Sequence, residues 1–159
     1  MKELTYVMVK PDYANNEAVI RMVRNKIMQA GFKIELEGFV QYNIDAARKH
    51  YAEHVEKPFY PNLEKYITSD RAFGMVVSGE NCIDAIHDKT FMGSTKNPSE
   101  GTIRYNGFAL MGYLDRDPEI NGTQNVAHSS DAVTAAQKEI AIFIDLLKKE
   151  VKAEESKEI

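Results

Sequence analysis

The sequence predicts an α+β fold of the ferredoxin-like kind. Its βαββαβ core would be a four-stranded antiparallel sheet with helices on one face, added helices, and a long loop before the last strand. Three observations predict it. Short runs of β-branched and aromatic residues alternate with segments of helical periodicity, in the order β-α-β-α-α-β-α-β-α. The 159 residues are 43% hydrophobic and 28% charged, which suits one domain with a sizeable core. No repeat, linker or low-complexity block divides the chain, so residues 1–153 read as one domain and 154–159 as a charged, frayed tail.

Each element follows from local chemistry. "LTYVMV" (4–9) is apolar, rich in β formers and stopped by Pro11, as a buried strand would be. Asn15 or Asn16 can cap a helix to about Ala30, with Val19, Ile20, Val23 and Ile27 at helical spacing and Gly31 at its end. Residues 32–42 alternate Phe32, Ile34, Leu36 with Lys33, Glu35, Glu37, the mark of a half-buried strand. Asp45 caps a short helix over "AARKHYAEH", and a second short helix follows Pro58 and Pro61. "AFGMVVSG" (72–79) is a third strand, and "NCIDAIHDKTFMG" a helix. Residues 94–124 carry Gly, Pro, Asn and Asp throughout and read as a long irregular loop, of a length more often functional or disordered than ordinary. "NVAH" (125–128) is a short strand. The last helix has Val133, Ala136, Ile140, Phe143, Ile144, Leu147 and Val151 on one face.

The bulk numbers narrow the class. A net charge of −4 gives no basic field for nucleic acid. Cys82 is the sole cysteine, so no intrachain disulfide staples the chain. "MKELTYVMVKPD" reads as neither a signal peptide nor a membrane span, and a cytoplasmic protein is expected.

Individual motifs each have a plain alternative. Neither G-x-x-x-x-G-K-[ST] nor G-x-G-x-x-G occurs, so side chains would have to hold any nucleotide phosphates. "HYAEH" (50–54) matches H-x-x-E-H, which could put two zinc ligands on one helix face, but such short patterns arise by chance in charged regions. "DPEINGTQ" (117–124) is a poor calcium loop and reads as turns. Lys10 ends a buried strand in "VKPD", where it either reaches an anion or snorkels to water. Arg104 in "GTIR" offers the planar fork that suits phosphate, or else is solvated surface.

Taken together and in order, "VMVKPD", "HYAEH" with "KPFYPNLEKYITS", "MGST", "NPSEGTIR" and "NVAHSSD…KEI" resemble the nucleoside diphosphate kinase family from Tyr6 to about Leu147. The N-x-x-H-x-S-D stretch, with Glu139 eleven residues after the histidine, is its most specific part. The resemblance implies ping-pong transfer of a γ-phosphate from a nucleoside triphosphate to a nucleoside diphosphate through phosphorylated His128. It implies that Glu139 orients the ring, with Ser130 behind it, and that Lys10 and Tyr51 contact the phosphoryl group. Arg104, Thr95 and Lys89 would bind phosphates, Asn125 the ribose, and Phe59 and Leu63 the base. Mg²⁺ would be carried by the nucleotide phosphates rather than by a protein metal site. A nucleotide-binding or interaction homologue of low activity is the alternative. The implied assembly is a homo-oligomer, expected as a dimer through the sheet edge and first helix, with a hexamer the other possibility.

The chain departs from the family pattern in four places. Lys89 stands where the family usually has Arg, and loses the bidentate fork. "STKNPSEGTIR" is shorter than usual, "YNGFALMGYLDRDPEINGTQ" is longer, and "YANNEA" replaces the usual "GVQRG". The last two stretches are ones that meet neighbouring subunits in the family.

Overall fold

The computed structural model describes residues 2–157. Strand β1 (Lys2–Val9) runs into a one-turn helix α1 (Pro11–Ala14) and then α2 (Glu17–Gln29). Next come β2 (Lys33–Val40), α3 (Ile44–His50), a 3₁₀ turn (Ala52–His54), α4 (Tyr60–Ile67) and β3 (Ala72–Glu80). The chain ends with α5 (Cys82–His87), α6 (Ile103–Met111), α7 (Pro118–Thr123), β4 (Ala127–Ser129) and α8 (Val133–Lys157). The sheet is antiparallel throughout, in the order β2-β3-β1-β4. The oldest strand in the chain, β1, therefore lies beside the youngest.

Helices cover both faces of this sheet, not the single face expected. Alternate residues of a strand point to opposite sides. Val7, Val9, Met75 and Val77 meet α2, α5 and α6 in one core. Tyr6, Met8 and Val76 meet α3, α4 and α8 in another. This two-sided burial is why "YVMV" reads as an unbroken apolar run, with all four residues fully buried.

The expected loop over 94–124 contains two helices. Thr102 caps α6, accepting from Tyr105 N, and Gly112 ends it with φ of +74°. Asp117 caps α7 by accepting from Glu119 N, with Pro118 in its first turn. Arg116 locks this segment down. Its guanidinium donates to Asn121 Oδ1, Gln124 O and the Tyr13 hydroxyl, and stacks 3.8 Å from the Tyr113 ring centre. Helix α5 is shorter than expected and stops at His87, so Lys89 sits in a turn. Helix α8 continues to Lys157, so residues 154–157 are helical, whereas 158 and 159 of the expected tail lie outside the described residues.

Candidate active site

His128 is the middle residue of the three-residue strand β4 and pairs with Met8 of β1. Strand alternation then sends Ala127 into one core and His128 to the face shared with Tyr6 and Met8. There the ring meets α8. Its Nε2 lies 2.8 Å from Glu139 Oε1. Glu139 occupies an inward position of α8, between buried Ala136 and Phe143, and is only 4% exposed. A carboxylate there needs partners. Ser130 Oγ supplies one, donating to Oε1 at 2.7 Å, while the Tyr6 amide donates to the same Oγ at 3.1 Å. An acidic acceptor on Nε2 places the proton on that nitrogen and leaves the Nδ1 lone pair for attack.

The backbone that presents the ring is under constraint. Val126 has φ of +80°, in the left-handed region that a β-branched residue avoids, at a cost of about 1–3 kcal/mol. Its surroundings hold it there. The Lys10 amide donates to Val126 O at 2.9 Å. Arg104 donates from Nε to Asn125 O, from Nη2 to Ala127 O, and from Nη1 to Gly93 O. Gly107 packs so closely that an added Cβ would lie 2.5 Å from Val126 Cγ1. Arg104 thus spends three of its five N–H groups on main-chain carbonyls. Burial brings its guanidinium down to about 10, which leaves it charged at neutral pH.

Lys10 is 6% exposed at the end of β1. Its ammonium donates to Asn125 Oδ1 at 2.7 Å and Thr123 O at 3.3 Å. Burial, and then the Arg104 charge, bring it down from 10.5 to about 7, with Asp12 pulling the other way. Among the described residues its ammonium hydrogen-bonds to no carboxylate, so a bound anion would restore its charge. Asn125 completes this cluster by donating from Nδ2 to Gly122 O.

Tyr51 caps the C-terminus of α3, its ring centre 6.4 Å from that of His128. Its hydroxyl is buried without a hydrogen-bond partner, and burial, with Glu139 nearby, keeps it protonated as a donor. His50, one residue earlier, is buried beside His128, with ring centres 4.7 Å apart. Burial, the His128 ring and the charges of Lys138 and Lys10 hold it neutral.

The structure thus brings together Lys10, Tyr51, Arg104, Asn125, His128, Ser130 and Glu139. Phe59 stands at the N-cap of α4, 49% exposed with its ring 5.6 Å from His54, and Leu63 lies buried within the helix. Thr95 and Lys89 are both exposed, and among the described residues neither is bonded to the His128 cluster. The zinc pattern dissolves: α3 ends at His50, while His54 sits in the 3₁₀ turn beside Lys57. Sequence reasoning missed His50 as a neighbour of the site, along with Val126, Gly107 and Arg116. Only the histidine carried a signal, by standing next to Tyr51.

The chain is similar to known proteins over most of its length. The family described as Nucleoside diphosphate kinase matches residues 3–148. A nucleoside diphosphate kinase of Listeria monocytogenes is 38% identical over 144 residues, covering 89% of this chain and 88% of the relative. One from Staphylococcus epidermidis is 36% identical over 141 residues, covering 89% and 87%. Among solved structures, a halophilic nucleoside diphosphate kinase from Halobacterium salinarum, in complex with CDP, aligns with a TM-score of 0.74 at 30% identity, covering 90% of this chain and 88% of that one. The Aquifex aeolicus enzyme aligns at 0.73 and 23% identity, covering 90% and 95%. With a family match over nearly its whole length and relatives above 30% identity, the chain belongs to the nucleoside diphosphate kinase family, a family of phosphotransferases.

Proposed function

We propose that the chain transfers the γ-phosphoryl group of nucleoside triphosphates to nucleoside diphosphates in two half-reactions through His128. The observation that carries this reading is the His128 Nε2 contact with buried Glu139, which frees Nδ1 as the nucleophile. The nitrogen attacks the γ-phosphorus as the bond to the β-γ bridging oxygen breaks, and the diphosphate leaves. The second diphosphate then attacks the phosphohistidine in reverse. Glu139 stabilises the positive charge that grows on the ring, and Ser130 holds Glu139 in place.

Phosphoryl transfer asks chiefly for positioning and charge neutralisation. Lys10 and the unpartnered Tyr51 hydroxyl would donate to phosphoryl oxygens. Arg104 has two N–H groups left for the β-phosphate region, and Asn125 would meet the ribose. The exposed Phe59 ring would stack on the base beside Leu63, which tolerates any base. Lys89 and Thr95 remain in the proposed phosphate set, although both are exposed and neither is bonded to the His128 cluster.

The donors around His128 are N–H and O–H groups, and its one carboxylate is already spent on the ring. That set suits phosphate, and Mg²⁺ held by the nucleotide itself would supply further neutralisation of its charge. We place the protein in the cytoplasm as a homodimer formed through the open edge of β2 and helix α2. Solution mass separates the dimer from a hexamer.

Incubation with γ-labelled ATP, followed by quenching, tests the reaction. An acid-labile, base-stable phosphoprotein is expected, lost in His128→Ala while nucleotide binding persists. Continued transfer in His128→Ala would refute the mechanism.

A further inference from the structure

The buried His50 imidazole has no part in the transfer just described. Its Nδ1 lies 3.5 Å from the Tyr42 hydroxyl, itself 2.8 Å from the Tyr6 hydroxyl. Its Nε2 has no hydrogen-bond partner, although the side chain is only 1% exposed. That nitrogen faces Glu139 Oε2 at 3.9 Å. One donor atom each from His50, His128 and Glu139 lie within 4.8 Å of one another.

We propose that His50, His128 and Glu139 form a binding site for a zinc-class divalent ion, and that this ion competes with the phosphoryl group for His128. The donor set is the reason for the metal class. Two imidazoles and one carboxylate are the ligands of zinc sites that keep a fourth position open to water. Magnesium and calcium require oxygen ligands and do not fit. Bonds of about 2.0–2.2 Å to a tetrahedral ion put donors roughly 3.4 Å apart. The Glu139–His50 gap must therefore close by about half an ångström, and the widest of the three separations, which lies within 4.8 Å, by up to about 1.4 Å. The supporting contacts already exist. Tyr42 can accept from His50 Nδ1, which leaves the Nε2 lone pair for the metal, and Ser130 holds the Glu139 oxygen that the ion does not use.

The competition follows from the ring's two nitrogens. The ion takes His128 Nε2, replacing its hydrogen bond to Glu139. The ring's proton then resides on Nδ1, and the lone pair that attacks phosphorus is gone. Attack from Nδ1 leaves the Nε2 proton held by Glu139, so the ion could reach Nε2 of the phosphorylated ring only by displacing that proton and its carboxylate partner. Each modification excludes the other, and by linkage the exclusion is mutual. Binding of the ion stands on geometry alone, whereas the competition rests on the proposed function.

Titration calorimetry of the full chain with Zn²⁺, without nucleotide, tests binding. Wild type should take up one ion. His50→Gln and His128→Ala should each lose tenfold or more in affinity, with circular dichroism checking the fold, while His54→Gln should bind as wild type. Because His128 is partly exposed, its variant remains informative if His50→Gln fails to fold. Co²⁺ in place of Zn²⁺ should give the visible absorption of a tetrahedral site in wild type but not in His128→Ala. Wild-type affinity in either His50→Gln or His128→Ala, or no stoichiometric uptake by wild type, would overturn the proposal. Phosphoenzyme prepared with ATP and freed of nucleotide should take up no Zn²⁺. Uptake there would refute the competition, and failure to form phosphoenzyme at all would count against the proposed function instead.

Discussion

Titrating ADP into the protein between pH 7.5 and 9 should draw a proton from solution onto Lys10. The free site holds this ammonium near 7, against an ordinary value of 10.5, because burial and Arg104 oppose its charge. At pH 7.5 about a quarter of the molecules carry the charge, and at pH 8.5 about 3%. Phosphate oxygens against Nζ restore the charged form, so binding should take up roughly 0.7 proton at pH 7.5 and nearly one at pH 8.5. Affinity should then fall about tenfold per pH unit above 8. The nucleotide's own second phosphate ionisation lies near 6 and stays out of this window.

The same depression bears on stability, with a definite sign. The folded value lies below the unfolded one, so the unfolded chain binds more protons between pH 7 and 10.5. The cost of burying the charge is full below pH 7 and vanishes above 10.5. At 1.36 kcal/mol per decade it is about 4–5 kcal/mol. Lys10→Met removes it but leaves Asn125 Oδ1 without its donor, at about 1–3 kcal/mol. The variant should gain about 2 kcal/mol at pH 7 while losing activity. Calorimetry in two buffers of different ionisation enthalpy reads the proton, and urea melts read the stability. Proton uptake near zero in wild type, or unchanged in Lys10→Met, would refute the reasoning.

Three further outcomes are expected. Glu139→Gln keeps an acceptor for the His128 ring but loses the charge, so single-turnover phosphorylation should slow by about 10- to 1,000-fold. Arg104→Lys can satisfy one of three carbonyls and should lower stability by about 3 kcal/mol in urea melts. Gly107→Ala drives a methyl into Val126 and should cost about 1–3 kcal/mol, with kcat falling as the strand presenting His128 shifts.

Where the chain's periodicity was strong, its elements were legible. Helix α8 announced itself by its apolar face, and the polar residue set into that face, Glu139, proved to be the His128 partner. The cluster of Lys10, Tyr51, Asn125, His128 and Ser130 was legible from its motifs. The segment over 94–124 was not, because α7 is six residues long with Asn and Gly inside it and α6 has Asn106 and Gly107 in its middle. Their starts were nonetheless written in Thr102 and in Asp117 followed by Pro118. The second covered face of the sheet hid in plain sight, since a run such as Tyr6–Val9 implies burial on both sides. Arg104 was legible only in part: its residue type suits phosphate, but its three hydrogen bonds to backbone carbonyls are something no local pattern reveals.

The pairing of β4 with β1 also sets when the protein can act. Ser130 and Tyr6, which bond to each other, are 124 residues apart in the chain. Contacts of such long range form late, after local helices and the β2–β3 pair have closed shorter loops. A chain still emerging from the ribosome has β1 early but has neither β4 nor α8 to put beside it. His128 can have no Glu139 behind it until α8 is made. Synthesis from the N-terminus thus withholds phosphoryl transfer until β4 and the first turns of α8 are made, and a chain ended before residue 128 should be inert however well its first three strands have folded.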